Sequence, residues 1–93
     1  MQDKIYAKLN DAFEPLHLSV RDDSHKHAGH AEASAHGGGH YMVILVSEVF
    51  ENLDRVSRQR AVHKVLAESF VEKEIHALSL RIFTPTEWLQ RTG

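Results

Sequence analysis

Residues Tyr41 to Val46 are nearly all apolar, and three of the six are β-branched. Such a run predicts a strand covered on both sides or close to it. The chain is thereby committed to a sheet, and its other segments must pair with that strand or cover it. Leu16, Leu18 and Val20 alternate with His17, Ser19 and Arg21, which predicts a half-buried strand upstream. Residues 75–83 alternate again. Here His76, Leu78, Leu80 and Ile82 are expected to face one way, and Ile75, Ala77, Ser79 and Phe83 the other.

The covering elements read as helices. In residues 2–13, Ile5, Leu9 and Phe13 recur four apart while Lys4, Lys8 and Asp11 fall off that line, and Pro15 ends the pattern. A second helix is expected to start at a cap, Asp54 or Ser57, and run to about Phe70, with Val62, Leu66 and Phe70 as its stripe and Ala61 and Val65 beside it. The connection from Phe50 to Asp54 offers Asn52 for a left-handed turn. Thr84-Pro85-Thr86-Glu87 is a capping box with proline at the first helical position, opening a short helix that carries Trp88 and Leu89. The order is α-β-β-α-β-α. The first two strands pair as an antiparallel hairpin, and the helix before the third strand implies a parallel, right-handed crossover. A three-stranded mixed sheet with helices on one face buries all the stripes at once, within a single domain over residues 1–93.

Residues 22–40 are the exception to this patterning. The segment is polar and rich in glycine and histidine, and its Gly37-Gly38-Gly39 run predicts a mobile hairpin loop. The chain has eight histidines, and five of them fall between His25 and His40. Only groups that titrate or bind metals gain from such a bias. There is no cysteine, so the chain supplies no disulfide, no thiolate ligand and no thiol nucleophile.

Net charge is −2, which gives no support to nucleic-acid binding through overall positive charge. A local basic patch at Arg55, Arg58, Arg60 and Lys64 is the candidate for contact with DNA phosphates or an acidic partner, against the plain alternative of a solvated helix face balanced by Glu51 and Asp54. No Gly-x-x-Gly loop of the kind that clamps nucleic acid is present. The first residues are mixed and charged, and no apolar run approaches membrane-spanning length, so a cytoplasmic protein is expected.

Catalysis finds little support. His76 with Glu74 or Glu87 is a conceivable acid–base pair, and Ser24 or Ser47 a conceivable nucleophile. Nothing brings nucleophile, base and oxyanion site together, and no phosphate loop, GxSxG or HExxH occurs. The chain is expected to bind rather than catalyse.

Several segments together resemble the BolA family: Val43-Ile44-Leu45-Val46-Ser47 leading to Phe50, the Arg58-Gln59-Arg60 run, Asp23-Ser24-His25-Lys26-His27 ahead of the second strand, and above all Ile75-His76-Ala77-Leu78-Ser79-Leu80 followed by Thr84-Pro85-Thr86-Glu87-Trp88. The resemblance spans nearly the whole chain. Gln59 stands where the family usually has histidine, Asn52 where it usually has glycine, and the loop is longer and richer in histidine than usual.

The resemblance implies a fold like a type II KH domain. It also implies a non-enzymatic partner of monothiol glutaredoxins that shares a [2Fe-2S] cluster in iron–sulfur trafficking or iron and redox regulation, with no cofactor in the isolated chain. The family ligands, carried over by motif, are His76 and, best matched in the loop, His27; His25 and His30 are loop alternatives, and His36 and His40 also compete. A [2Fe-2S] cluster needs four protein or thiol ligands, and histidine can replace cysteine on one iron. A cysteine-free chain therefore needs a thiol-bearing partner, which fits a glutaredoxin with glutathione. The histidines can alternatively take up Zn²⁺, Ni²⁺ or Cu²⁺ adventitiously. Some bacterial members of the family are described as transcriptional regulators of stress response and cell shape, so DNA binding is the alternative function. The free protein is expected to be a monomer or weak homodimer, away from membranes.

Overall fold

The helical and strand periods of the sequence are realised where its apolar residues recur. The computed structural model describes residues 2–23, 39–72 and 74–91. Its elements are helix α1 (Gln2–Phe13), strand β1 (His17–Asp22), strand β2 (Gly39–Val46), a 3₁₀ turn (Glu48–Phe50), helix α2 (Arg55–Val65), a short helix α3 (Ala67–Val71), strand β3 (Ile75–Phe83) and helix α4 (Pro85–Arg91). The sheet order is β1-β2-β3, with β1 antiparallel to β2 and β2 parallel to β3. This is the mixed three-stranded sheet that the element order demands.

Ile5, Leu9 and Phe13 of α1 and Val62 and Leu66 of α2 meet Val20, Tyr41, Val43, Leu45 and Ile75 of the sheet in one core. All of these are buried. In β2 the burial alternates, so Met42 and Ile44 on the other face stay half-buried. Val46 on that face is buried, so the central strand is covered on the helical side and half-covered or better on the other, close to the two-sided burial its composition suggests. Leu16 lies ahead of β1 and is 69% exposed, leaving Leu18 and Val20 as the inward residues of that strand.

Local rules explain the termini. Proline cannot continue α1, which ends at Phe13; Glu14 then takes a positive φ of 44°. It is the only non-glycine residue to do so among the described residues, so Asn52 does not adopt the left-handed turn. Asp54 is the cap of α2, its Oδ1 accepting from Ser57 N at 2.8 Å, and Ser57 lies inside the helix. The expected single helix to Phe70 is broken at Leu66, and α3 resumes at Ala67. The break keeps Val62 and Leu66 inside and buries Ser69, whose Oγ accepts from Lys8 Nζ of α1 at 3.4 Å. At α4 the capping box forms as its residues require. Thr84 N donates to Glu87 Oε1 at 2.9 Å, and Glu87 N donates to Thr84 Oγ1 at 3.2 Å.

Glu87 also joins α4 to α2. Arg58 donates to both of its oxygens, at 2.7 and 3.3 Å. That guanidinium, followed by the Thr84 N–H, holds the Glu87 carboxyl below the ordinary carboxylate range. A carboxylate lowered in the folded state stabilises fully above its unfolded pKa, and the contribution is lost as pH falls through the folded value. Glu87→Gln keeps the cap and removes the charge. It is expected to cost at most about 1 kcal/mol at pH 7, because the pair is partly solvated, and the difference from the parent should disappear as pH falls through the lowered folded value. Urea midpoints at several pH values read this directly.

Candidate metal site at the bulged end of the sheet

The parallel register of β2 and β3 is interrupted at its first residues. Gly39 pairs with Ile75, but the next residue, His40, pairs with Ala77. His76 is the extra residue. A bulge of this kind re-aims a side chain, and here it shifts the phase of the strand start by one. Ile75 and Leu78 consequently both join the core, with Leu80 and Ile82 continuing the inward row. His76 is exposed. The simple alternation that put His76 on the face of Leu78 and Leu80 is thus corrected by the bulge, which turns the imidazole out of the apolar interior.

The ring emerges beside another histidine. His40 and His76 have centroids 5.1 Å apart and planes inclined by 42°. His40 stands in β2 and not in the connecting loop, because the strand begins two residues earlier than its apolar run. Gly39 makes this start possible. A Cβ at position 39 would stand 2.5–2.6 Å from the Tyr41 ring and hydroxyl. Gly39→Ala is expected to displace that buried ring, at a cost of about 1–3 kcal/mol in a guanidinium titration, and to disturb the His40 position next to it.

The charges around the pair are themselves anchored. Lys4 Nζ donates to both Glu74 oxygens, at 2.9 and 3.1 Å, tying the start of α1 to the start of β3. The Lys4 hydrogen bond holds the Glu74 carboxyl below its ordinary range. Burial pushes the Tyr41 phenol upward, with Asp22 and Glu74 adding to it. Glu74 is thus engaged by lysine, and Glu87 by arginine at the other end of the strand.

Two imidazoles on one tetrahedral ion, with metal–nitrogen bonds of about 2.1 Å, place their ring centroids about 5 Å apart. The observed pair fits that requirement. Two rings leave such an ion two donors short, and among the described residues no group of three or more metal-binding side chains is assembled. The loop candidates His25, His27 and His30, with His36 and Ser24, lie outside the described residues. From the sequence, His40 is only one competitor among the loop histidines. The spacing that could have found the bulge at His76 is Ile75 and Leu78, two core residues three apart, which strict alternation forbids.

The remaining described histidines are taken up elsewhere. His17 stacks on Trp88 at 4.9 Å, and His63 on Phe70 at 5.3 Å. Ser47 is buried; its Oγ donates to Phe13 O at 2.7 Å and accepts from Val49 N. In the basic patch, Arg60 and Lys64 are exposed on α2. The Arg58 side chain is only 14% exposed, and besides Glu87 it donates from Nε to Leu53 O at 3.0 Å.

No helix among the described residues is long and apolar enough to cross a membrane. A family model for BolA-like proteins matches residues 9–87. The DNA-binding transcriptional regulator BolA of Vibrio cholerae is 37% identical over 90 residues, which cover 97% of this chain and 80% of that protein. Two solved structures from Arabidopsis thaliana superpose closely. BolA1 has a TM-score of 0.79 and 34% identity, covering 94% of each chain, and the BolA domain of SufE1 has a TM-score of 0.78 and 32% identity, covering 92% of this chain and 93% of that one.

Proposed function

The chain belongs to the BolA-like family, and on that premise we propose that it is a non-enzymatic adaptor that joins a monothiol glutaredoxin around a shared [2Fe-2S] cluster. The observation that carries this reading is the His40–His76 pair at the bulged end of the sheet, His76 exposed and His40 half-buried, spaced as two ligands of one metal ion. The chain has imidazoles and no thiol, so it can serve one iron and must leave the other to thiolates, which a glutaredoxin and glutathione supply. His76 is the first ligand. The second is His40 or the motif-matched His27. The bound cluster supplies one-electron redox capacity and a transferable iron–sulfur unit. What the chain itself does is hold neutral imidazoles in place and present them to the partner. Because imidazole binds metal only when deprotonated, acid weakens the complex.

The test is to titrate the protein into a cluster-loaded monothiol glutaredoxin and record visible absorption and circular dichroism. Histidine ligation of one iron changes both spectra. An unchanged spectrum at stoichiometric excess rejects the reading.

A second reading, DNA-binding regulation, is favoured by the names of relatives such as the Vibrio cholerae protein. Its contacts would be Arg60 and Lys64, with Arg58 held in its ion pair. A mobility shift on promoter DNA that is unaffected by R60E/K64E would remove this patch from the account.

A further inference from the structure

The end of β3 remote from the histidines borders a cleft of about 880 Å3 between α2, β3 and α4. Leu80 to Phe83 lie four to seven strand positions beyond His76, about 13–23 Å at ~3.3 Å per residue. Leu80 and Ile82 give the cleft apolar lining, while Arg55, Arg81 and Arg91 stand around it. With Arg58 the lining has four guanidinium groups against two carboxylates, in a chain whose net charge is −2. Both carboxylates are occupied: Glu87 by Arg58, and Asp54 by the cap of α2. Arg91 is held over Trp88 at 3.8 Å from the ring centroid.

The cleft also runs along an open edge. β3 has β2 on one side, and no strand of the described residues pairs with its other side. An open edge offers a row of N–H and C=O groups to an incoming strand.

We propose that this cleft receives an extended acidic segment of a partner protein, added as a fourth strand along the outer edge of β3. Main-chain pairing gives such a segment its register, and adjacent carboxylates, pointing to opposite faces of the added strand, meet Arg55 on one side and Arg81 and Arg91 on the other. Chemistry on the page disfavours other occupants. A second copy of the chain would bring like-charged rims together. A nucleic acid would find its aromatic stacking platform occupied, because the Trp88 ring is already taken by His17 and Arg91. The site lies away from the histidine pair and does not depend on the cluster reading. An adaptor built this way engages two partners at once.

The experiment uses cluster-free protein and a fluorescein-labelled Thr-Glu-Glu-Val-Glu-Glu-Val-Thr peptide, which puts carboxylates on both faces of a strand, followed by anisotropy and amide chemical shifts. Saturable binding is expected, with the largest shifts at Leu80 to Phe83. Methylating alternate backbone nitrogens of the peptide should weaken it about tenfold or more, and R55E/R81E should do the same. R55Q/R81Q, a milder pair, should weaken binding by a smaller factor while leaving the urea midpoint unchanged. Absence of binding overturns the proposal. So does equal binding by the lysine-for-glutamate peptide, indifference to N-methylation with equal competition by free glutarate, or displacement by a thymidine oligonucleotide that binds more tightly.

Discussion

His76→Ala is expected to abolish the change in visible circular dichroism that the parent protein produces in a cluster-loaded monothiol glutaredoxin, with at least about a hundredfold loss of affinity for the cluster-bearing partner. The bulge fixes His76 in place, and no neighbouring residue can be recruited to the same spot. Ile75 is in the core, and Ala77 has no donor. Loss of the ring leaves an iron one donor short, and a buffer ligand would not restore the spectrum. His76 is exposed, so its removal should change the folding free energy by less than about 0.5 kcal/mol, and the defect is separable from unfolding. His40→Ala and His27→Ala divide the question of the second ligand. The geometry expects His40→Ala to match His76→Ala, because the two rings already stand 5.1 Å apart. If His27→Ala reproduces the loss and His40→Ala does not, the ring pair is only a neighbourly contact. If His76→Ala retains the full parental spectrum, the proposed adaptor function fails.

The fold was legible where one segment settles its own state. Ile5, Leu9 and Phe13 lie one turn apart, so α1 emerged with its observed limits, and Thr84 with Glu87 closed its cap within four residues. The sheet order followed from the connections alone. The bulge was not legible in the same way, because an extra residue in a strand is defined against its neighbour. Read by itself, β3 alternates, and His76 falls in with Leu78; read against β2, His76 is the residue without a partner. His40 was hidden for a related reason. Its strand begins at a glycine that composition assigns to a loop, and only the Tyr41 ring over Gly39 explains why glycine is needed inside the strand. The Arg58–Glu87 pair spans 29 residues of sequence, so Arg58 read as a surface charge when it braces two helices.

Phe50→Ala is expected to be the most destabilising single change, costing about 3–5 kcal/mol. The side chain is 0% exposed, and its ring packs on Phe13 at 5.1 Å with a 37° tilt. Truncation would open a cavity where the end of α1 meets the turn that leads into α2, and the surrounding main chain can do little to fill it. Ser47 binds Phe13 O through its hydroxyl and caps the 3₁₀ turn, so both walls are pinned. Stability for a domain of this length is of the order of 5–14 kcal/mol, so the loss takes about a fifth or more of the total. At about 4–8 °C per kcal/mol, the thermal midpoint should fall by tens of degrees. Val49→Ala is the control one residue away: Val49 is 54% exposed, and its truncation should stay within about 0.5 kcal/mol. Phe50→Leu fills most of the volume and should recover more than half of the loss. A guanidinium midpoint for Phe50→Ala within 1 kcal/mol of the parent would mean that the α1–turn junction collapses onto the gap, and that the core is not held from this end. Because this junction adjoins the α2 start that forms one wall of the acidic-segment cleft, the same variant should weaken peptide binding before it affects the histidine pair at the opposite end of β3.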